Sequence, residues 1–335
     1  MNNPVFPVTS EPQFWVVVPT YNPGKLAWAD WVLALQNQNC KPMQVVVVDS
    51  GSTDGSLEIS QKAGFTLLHV LAKDFNHGGT RQWALDQALI LNKGHLNQPQ
   101  YAVFLTQDAV LASKDALQEL LKAFLDPEVA ASFGRQLAKQ EASWIENHAR
   151  LFNYPETSRT IQLMDKKRMG IKACFFSNSF AAYRLDALQA QGGFPTNLPL
   201  GEDAYMAAKF LVSGQYLRYQ ASSAVYHSHN YKWQQDFQRM FDTGVFHAQS
   251  PWLLKCFGTA EGEGIKLVAS QWKYLNQIVM SKDVINRPSL LAGTYHLISL
   301  NLIKLLGYKL GKAHRFFPVG LSHHLSMNKY FWKKQ

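Results

Sequence analysis

Short runs of apolar residues alternate with helical patterns through the first third of the chain. Four runs are typical of buried strands: FWVVV at 14–18, QVVVVD at 44–49, FTLLHVL at 65–71 and YAVFLT at 101–106. A helical pattern follows the first run, over about Lys25 to Gln38. Because strands that alternate with helices form parallel sheets, we predict an α/β fold with a mainly parallel central sheet.

The second half of the chain is less regular. A helical pattern follows the triplet GED at 201–203, a short strand is predicted near residues 224–226, and helical patterns dominate the end. The sequence contains neither an internal repeat nor a low-complexity linker. We therefore predict one domain over residues 1–250 and a helical C-terminal appendage over residues 251–335.

Polar segments, most of them rich in glycine, follow all four predicted strands. They are PTYN, DSGSTDG, DFNHGGTR and TQDA, in chain order. In an open parallel sheet such loops meet at the carboxyl ends of the strands, which is where ligands bind. The pattern therefore predicts a single polar site at that edge of the sheet.

None of these loops has the glycine spacing of the dinucleotide fingerprint or of the phosphate loop. A nucleotide could still bind through carboxylates and a metal ion. Asp49 could accept hydrogen bonds from a base or ribose, and Asp108 could hold a divalent cation beside a diphosphate. A single Asp after a strand is more often a turn former, but two such residues at one edge favour a binding site.

Cysteine usage and the N-terminal residues exclude several classes of protein. Cys40, Cys174 and Cys256 lie far apart and match no metal-ligand spacing, which favours free thiols in a reducing compartment. The first residues have neither a basic start nor an apolar run, so we predict no signal peptide. No stretch reaches 18 uninterrupted apolar residues, so we predict no transmembrane helix.

The positive charge is concentrated near the C-terminus. Of the 33 Lys and Arg residues, eight lie in residues 284–335, where Asp and Glu are absent, and the other 25 nearly balance the 24 acidic residues. The eight are Arg287, Lys304, Lys309, Lys312, Arg315, Lys329, Lys333 and Lys334. Aromatic and apolar residues at helical spacing accompany them, which favours an anionic membrane surface as the partner.

Two alternatives remain for this basic segment. It could be an ordinary helix that packs on the core and turns a solvated basic face outward. It could also bind nucleic acid, but Arg-rich clusters are missing, and we predict no nucleic-acid partner.

The strings VVVPTYN, VVVVDSGSTDGS, FLTQDA and LGEDAYMAAK, in this order, resemble the family 2 glycosyltransferases of the GT-A fold, a Rossmann-like nucleotide-diphospho-sugar transferase fold. FNHGGTRQ, TQDA, VYHSHNY, PWLLKCFGTAEGEG and the late LSM are similar to the bacterial rhamnosyltransferase branch, which builds O-antigen and related surface polysaccharides. The resemblance covers nearly the whole chain. It implies transfer of L-rhamnose, with inversion, from dTDP-L-rhamnose to a lipid-linked saccharide.

The resemblance implies a cytoplasmic enzyme at the inner face of the bacterial plasma membrane. It also implies roles for residues that match the family's motifs. Thr20, Tyr21 and Asp49 match positions that hold the base and ribose of the nucleotide sugar. His77 and Arg81 match a segment near the diphosphate.

A divalent metal, Mg²⁺ or Mn²⁺, is implied in the same way. Asp108 matches the last acid of the D-x-D motif, whose first position is Thr106 here, and Gln107 between them is assigned to the nucleotide sugar. His227 and His229 fall where GT-A enzymes often supply another metal ligand, and alternation places both on one face of an extended segment. An ordinary pair of structural histidines is the alternative.

Asp203 matches the general base of inverting members, with Glu202 beside it. A carboxylate there would take the proton of the acceptor hydroxyl as the nucleoside diphosphate leaves, although Asp203 also stands where a helix would be capped. Trp144, Asn178 and Ser179 are further candidates for an acceptor groove.

Two other functions stay open. The first is the same chemistry with another donor, such as a UDP-hexose. The second is a non-catalytic nucleotide-binding module at a membrane, which the missing first acid of D-x-D keeps open and Asp203 argues against.

Overall fold

A computed structural model describes residues 12–94, 98–281 and 287–333. Within these ranges nine strands form one sheet. They are β1 (Phe14–Thr20), β2 (Gln44–Asp49), β3 (Thr66–His69), β4 (Tyr101–Leu105), β5 (Val110–Leu111), β6 (Val129–Leu137), β7 (Arg159–Ile161), β8 (Phe180–Arg184) and β9 (Tyr216–Tyr226).

Helices surround this sheet and form the C-terminal part of the chain. They are α1 (Lys25–Gln36), α2 (Ser56–Lys62), α3 (His77–Leu91), α4 (Ala116–Leu121), α5 (Trp144–Asn153), α6 (Lys166–Met169), α7 (Leu185–Ala190), α8 (Glu202–Val212), α9 (Trp233–Gln249), α10 (Pro251–Phe257), α11 (Glu261–Met280), α12 (Leu290–Lys312), α13 (Val319–Leu325) and α14 (Lys329–Trp332). Single 3₁₀ turns occupy Ala72–Asp74, Lys122–Leu125, Leu163–Asp165, Gly170–Cys174 and His314–Phe316.

The four strands predicted from apolar runs are β1 to β4, and they lie side by side in the order β3-β2-β1-β4. All of their pairings are parallel, and the register sets Thr20 opposite Asp49 at the carboxyl ends of β1 and β2. The predicted α/β fold is therefore confirmed. Beyond β4 the sheet becomes mixed, because β8 runs antiparallel between β4 and β6.

The core follows the alternation of side chains along β1. Trp15 and Val17 pack on one face of the sheet with residues of α3 and α8, whereas Phe14, Val16 and Val18 pack on the other with α1 and α4. A strand buried on both faces needs apolar residues at every position, which is why FWVVV reads as a continuous run.

Strand β9 is longer than the short strand predicted near residues 224–226. Its last residues pair antiparallel with β5, with Val110 opposite Tyr226 and Leu111 opposite Val225. Since β5 begins just after TQDA and β9 ends just before HSH, this pairing brings two segments that are distant in sequence to the same place.

Helices α9 and α12 approach each other so closely that their backbones touch. A Cβ atom at Gly307 would collide with the carbonyl of Phe237, and one at Gly311 with the carbonyl of Phe241. From the other side, Gly244 packs against the backbone of α12. This contact crosses the proposed boundary at residue 250, so the division into a domain and an appendage stays a prediction.

The basic segment is partly neutralised, which corrects the picture of a free positive tail. Lys304 lies 3.0 Å from a carboxylate oxygen of Asp236, and Lys309 and Lys312 lie 2.8 and 3.7 Å from one of Glu261. Charge counted along the chain cannot reveal partners that folding brings from α9 and α11. Lys334 and residues 284–286 lie outside the described residues.

The outward face of α12 is apolar. Leu291, Tyr295, Ile298, Leu302 and Leu305 are all exposed at helical spacing. Among the described residues, α12 is long and apolar enough to cross a membrane, judged by length and composition alone. Its most apolar window has a mean hydropathy of 1.3, and 22% of that window is buried. This differs from the prediction, which counted only uninterrupted apolar runs.

Candidate functional site

The loops after β1 and β2 meet around Asp49. This residue is almost fully buried, and its carboxylate accepts hydrogen bonds from the backbone N–H groups of Gly51 at 2.8 Å and Ser52 at 3.0 Å. The Thr20 hydroxyl lies 3.5 Å from the same carboxylate. Asp49 therefore shapes the DSGS turn and holds it against the end of β1.

Gln107 links the ends of β1 and β4. Its side-chain oxygen accepts a hydrogen bond from the Tyr21 N–H at 2.7 Å, and its side-chain nitrogen donates to the Tyr21 carbonyl at 3.1 Å. The Tyr21 ring is left 56% exposed above this pair. The middle residue of TQD thus orders the first loop, and an aromatic face remains free for a ligand.

Asp108, His227 and His229 form a cluster of ligand atoms. The Nε2 atoms of both histidines lie 3.4 Å from one carboxylate oxygen of Asp108. One ligand atom from each residue lies within 4.8 Å of the others. The β5–β9 pairing is what places them, because Asp108 precedes β5 and both histidines follow β9.

Hydrogen bonds behind His227 set its tautomer. Its Nδ1 atom lies 2.9 Å from the side-chain oxygen of Gln136, which also accepts from Arg150. Because that amide oxygen can only accept, Nδ1 carries a proton, and Nε2 is the atom that faces Asp108 and would face a metal ion. Such a partner behind a ligating imidazole is usual in metal sites.

The protonation of the cluster suits a cation. Burial disfavours the Asp108 charge, but the hydrogen bond from His227 and the neighbouring imidazoles outweigh it and hold the pKa of Asp108 well below its usual range. Burial and His227 together lower the pKa of His229 to about 4. An ionised carboxylate and a neutral imidazole are therefore present at neutral pH, and such an oxygen–nitrogen set fits a divalent ion.

The second cluster lies at the start of α8, where Gly201 adopts φ 84° to turn the chain into the helix. Glu202 is buried, and its carboxylate lies 2.8 Å from Arg81 and accepts a 3.1 Å hydrogen bond from the Asn178 amide. Arg81 is itself only 4% exposed. This ion pair connects α3 with α8, and each of the two charged groups already has a partner of opposite charge.

Asp203 differs from its neighbour because it is only partly buried. One carboxylate oxygen accepts a hydrogen bond from the Asn178 N–H at 3.2 Å, and the other accepts from the Ala204 N–H at 2.7 Å. Burial, followed by the negative charge of Glu202, raises the pKa of Asp203 to about 7. A carboxylate with this pKa can accept a proton near neutral pH.

These clusters occur in a sequence with clear relatives. The family model described as glycosyl transferase family 2 matches residues 15–192, more than half of the chain. The O-antigen chain rhamnosyltransferase WbaN of Salmonella anatum is 41% identical over 321 residues, which cover 96% of each chain. This chain belongs to glycosyltransferase family 2.

A second relative agrees with this assignment, and two solved structures share the fold. The O-antigen chain rhamnosyltransferase RfbN of Salmonella typhimurium is 40% identical over 318 residues, 95% of each chain. Mannosyltransferase PcManGT from Pyrobaculum calidifontis, in complex with GDP-Man and Mn²⁺, superposes with a TM-score of 0.57 at 19% identity, covering 90% of this chain and 88% of that one. S. aureus TarS 1–349 in complex with UDP has a TM-score of 0.51 at 17% identity, with 91% of each chain covered. The GT-A fold is confirmed.

The glycosyltransferase brings most of the predicted residues into three groups. Thr20, Tyr21, Asp49 and Gln107 join the loops of β1, β2 and β4, and Asp108 lies with the two histidines. Glu202 and Asp203 lie with Arg81, and His77 begins α3 one turn before Arg81, whose guanidinium donates to the His77 carbonyl at 2.9 Å.

The three candidates for an acceptor groove occupy different places in the fold. Asn178 is 2% exposed and holds Glu202, so it is part of the buried network rather than an open groove. Trp144 packs near Leu275 and Leu297 of α11 and α12. The Ser179 carbonyl accepts a hydrogen bond from the Thr106 N–H at 3.3 Å.

Sequence reasoning missed several residues of the site. Tyr231 stacks on His229 with ring centroids 4.9 Å apart, and Arg239 of α9 donates to the Tyr231 hydroxyl at 3.2 Å. The charge of Arg239 acts on His77, His229 and Asp203, which places it between the two clusters. Alternation in HSHNY could have pointed to Tyr231, whereas Gln136 and Arg239 depend on folding and left no local signal.

Proposed function

We propose that this glycosyltransferase is an inverting rhamnosyltransferase. It would transfer L-rhamnose from dTDP-L-rhamnose to a lipid-linked saccharide in O-antigen-type polysaccharide synthesis. One observation carries this proposal: the 41% identity to WbaN extends over 96% of both chains, so it includes the site and the C-terminal helices. Both relatives are named O-antigen chain rhamnosyltransferases.

The nucleotide of the donor is assigned to the loops of β1, β2 and β4. Asp49 and Thr20 hold the turn that faces the base and ribose, and the exposed ring of Tyr21 offers a stacking surface. Gln107 keeps Tyr21 in place. These contacts involve no residue of the Arg81–Glu202 pair.

Asp108, His227 and His229 are assigned as ligands of a divalent metal. Imidazole nitrogen suits Mn²⁺ better than Mg²⁺, which prefers oxygen, and both ions remain candidates. When bound, the ion would neutralise the donor's diphosphate. The single D-x-D carboxylate is thus supplemented by two histidines that sequence position alone does not connect with it.

Asp203 is assigned as the general base. It would take the proton of the acceptor hydroxyl while that oxygen forms its bond to the anomeric carbon of rhamnose. The bond from that carbon to the diphosphate oxygen breaks at the same time, and dTDP leaves with the bonding electrons. Asn178 and Ala204 orient the Asp203 carboxylate through their N–H groups.

The charge that develops on the leaving diphosphate needs a cation. Arg81 was predicted for this role, but its burial and its ion pair with Glu202 favour holding Asp203 in position instead. Arg239 is exposed, and no carboxylate of the described ranges lies within 4.0 Å of it. We therefore assign Arg239 to the leaving diphosphate.

A donor panel tests the reaction. The wild-type protein is incubated with Mn²⁺ and, in turn, dTDP-L-rhamnose, dTDP-glucose and UDP-hexoses, and nucleoside diphosphate release is measured. Faster release from dTDP-L-rhamnose supports the proposal. Faster release from a UDP-hexose would show that this sugar nucleotide, rather than dTDP-L-rhamnose, is the donor. Binding without release from any donor would indicate a non-catalytic module.

The enzyme is further proposed to act at the cytoplasmic face of the membrane, docked through α12. The inner side of α12 is fixed to α9 by glycine contacts and the Lys304–Asp236 pair, so its outer apolar face is left for the lipid. Each large apolar side chain that enters the bilayer contributes about 1.5–3 kcal/mol. Arg287 and Arg315, which form no ion pair within the described residues, add to this.

Liposome flotation tests the docking. A variant with Leu291→Gln, Ile298→Gln and Leu302→Gln should lose binding to anionic liposomes, because these exposed side chains would insert. A matched control with Leu26→Gln and Leu125→Gln, which are 83% and 72% exposed elsewhere, should bind like the wild type. Equal loss in both variants, or no flotation of the wild type, would rule out α12 as the docking helix.

A further inference from the structure

A cavity of about 290 Å³ lies between the start of α3 and the C-terminal helices α13 and α14. Phe75, His77 and Pro199 form one wall. Lys329, Tyr330 and Lys333 form part of the other. The cavity therefore lies between a loop of the GT-A sheet and the last helices of the described chain.

The lining is basic. Within the described residues no carboxylate lines the cavity, and none lies within 4.0 Å of Lys329 or Lys333. This contrasts with Lys304, Lys309 and Lys312, which all pair with acids. Two exposed ammonium groups without such partners attract an anion.

A buried carboxylate builds the wall that carries the lysines. Asp242 of α9 has no exposed surface, and it accepts hydrogen bonds from the Ser326 hydroxyl at 2.6 Å and the Met327 N–H at 3.1 Å. Asn328 donates to it twice, from its N–H at 3.1 Å and its side chain at 2.9 Å. Four donors on one buried carboxylate fix the SMN turn just before Lys329.

The cavity lies next to the proposed base rather than the metal ligands. Pro199 belongs to the loop that leads directly into Glu202 and Asp203, and the His77 carbonyl accepts from Arg81, the partner of Glu202. Among the residues predicted for the nucleotide sugar and the metal, His77 lines the cavity, whereas Asp49 and Asp108 do not. In an inverting displacement the acceptor approaches beside the base, on the side away from the leaving diphosphate.

We propose that this cavity binds the phosphate or diphosphate group of the acceptor, with Lys329 and Lys333 as its charged contacts. The assignment of the anion to the acceptor rests on the proposed function. The apolar chain of a lipid diphosphate would lie over Tyr330 and the exposed side chains of Phe316, Val319 and Leu321 in the same segment. The donor's own diphosphate is the competing source of this chemistry.

Calorimetric titration of the full chain with geranyl diphosphate, a lipid diphosphate without sugar, tests the site. In a Lys329→Gln, Lys333→Gln double variant the affinity should fall at least about tenfold, because two charge contacts are lost. Affinity for dTDP should stay unchanged. Lys273→Gln on the exposed face of α11 is the matched control and should change neither affinity. Both cavity lysines are exposed, and an unchanged melting temperature verifies the fold.

Three results would overturn the proposal. The first is wild-type affinity for geranyl diphosphate in the double variant. The second is an equal loss of dTDP binding, which would assign the cavity to the donor. The third is equal affinity for geranyl diphosphate and inorganic pyrophosphate, which would exclude the lipid chain.

Donor hydrolysis separates this inference from the proposed function. Suppose that the wild type releases dTDP from dTDP-L-rhamnose, and that the double variant binds geranyl diphosphate as tightly as the wild type. That result would contradict the proposal for the cavity and leave the proposed function intact. A protein that hydrolyses no nucleotide sugar but binds geranyl diphosphate through the lysines contradicts the transferase proposal and supports a lipid diphosphate site.

Discussion

Asp108 and Asp203 are the same type of residue, yet their surroundings shift their pKa values in opposite directions. Two imidazoles beside Asp108 overcome its burial and keep its pKa low. Asp203 has backbone N–H donors but stands beside the negative Glu202, and burial raises its pKa to about 7. One carboxylate is thus permanently charged at neutral pH, and the other can exchange a proton. Such a separation distinguishes a cation ligand from a base.

Glu202 shows that charge alone does not mark a reactive group. It precedes Asp203 directly, but its carboxylate is held by Arg81 and Asn178 and has little contact with solvent. A buried pair of this kind orients its neighbours and is costly to break. Availability to a ligand, rather than position in the GED triplet, separates the two acids.

The largest effect is expected from Asp203→Asn. Asparagine keeps the size and one hydrogen-bond acceptor but cannot take a proton, so kcat should fall by about 10²–10⁴-fold. Donor affinity should remain within a few-fold of the wild type. Steady-state kinetics together with dTDP titration would measure both, and a collapse of donor affinity would assign Asp203 a structural role.

Asp108→Ala should reduce turnover by about 10²–10³-fold, because the cluster loses its only carboxylate and the diphosphate its neutralising ion. The matched measurement is wild-type activity after chelation and after re-addition of Mn²⁺. Chelation should mimic the substitution, and Mn²⁺ should restore the wild type only. Full activity of the chelated wild type would contradict the metal assignment.

Gln136→Met tests the contact behind His227. Methionine fills a similar volume but cannot accept the hydrogen bond that sets the imidazole tautomer, so Mn²⁺ affinity should fall about 10–100-fold. Gln271→Met, a change at another buried glutamine that bonds Asn301 on α12, is the control and should leave Mn²⁺ affinity unchanged. Competition with a fluorescent metal chelator gives both affinities.

The smallest effect concerns pH. Because Asp203 must be deprotonated to act as a base, and its pKa is about 7, kcat/KM should fall about tenfold for each pH unit below that value. Above it the rate should level off. The residual activity of Asp203→Asn should lack this acidic limb. A limb that persists in the variant belongs to another group.

The sequence predicted what depends on local pattern. The apolar runs gave β1 to β4 because strands buried on both faces cannot contain polar residues. The edge strand β3 was predicted too long, since one side of it has no neighbour and its burial fades. The loops after these strands were placed correctly because parallel strands bring their carboxyl ends together.

Contacts between distant segments were not predictable in the same way. The approach of Asp108 to His227 depends on the pairing of the two-residue strand β5 with β9, and the motif resemblance, not the pattern, suggested it. The ion pairs of Lys304 and Lys309 depend on how α12 lies against α9 and α11. No spacing within the basic segment encodes those partners.

The glycine contacts between α9 and α12 bring the two backbones into direct contact, so these helices are expected to move together. Helix α9 also carries Arg239. A displacement of α12 at the membrane would therefore move α9, and Arg239 with it, relative to the rest of the site. An anchor joined by a flexible tether lets an enzyme sample many heights above a surface. Here the rigid packing of α9 on α12 would hold the site at one distance from the membrane. Only acceptors whose length places the reacting hydroxyl at that distance would then be substrates.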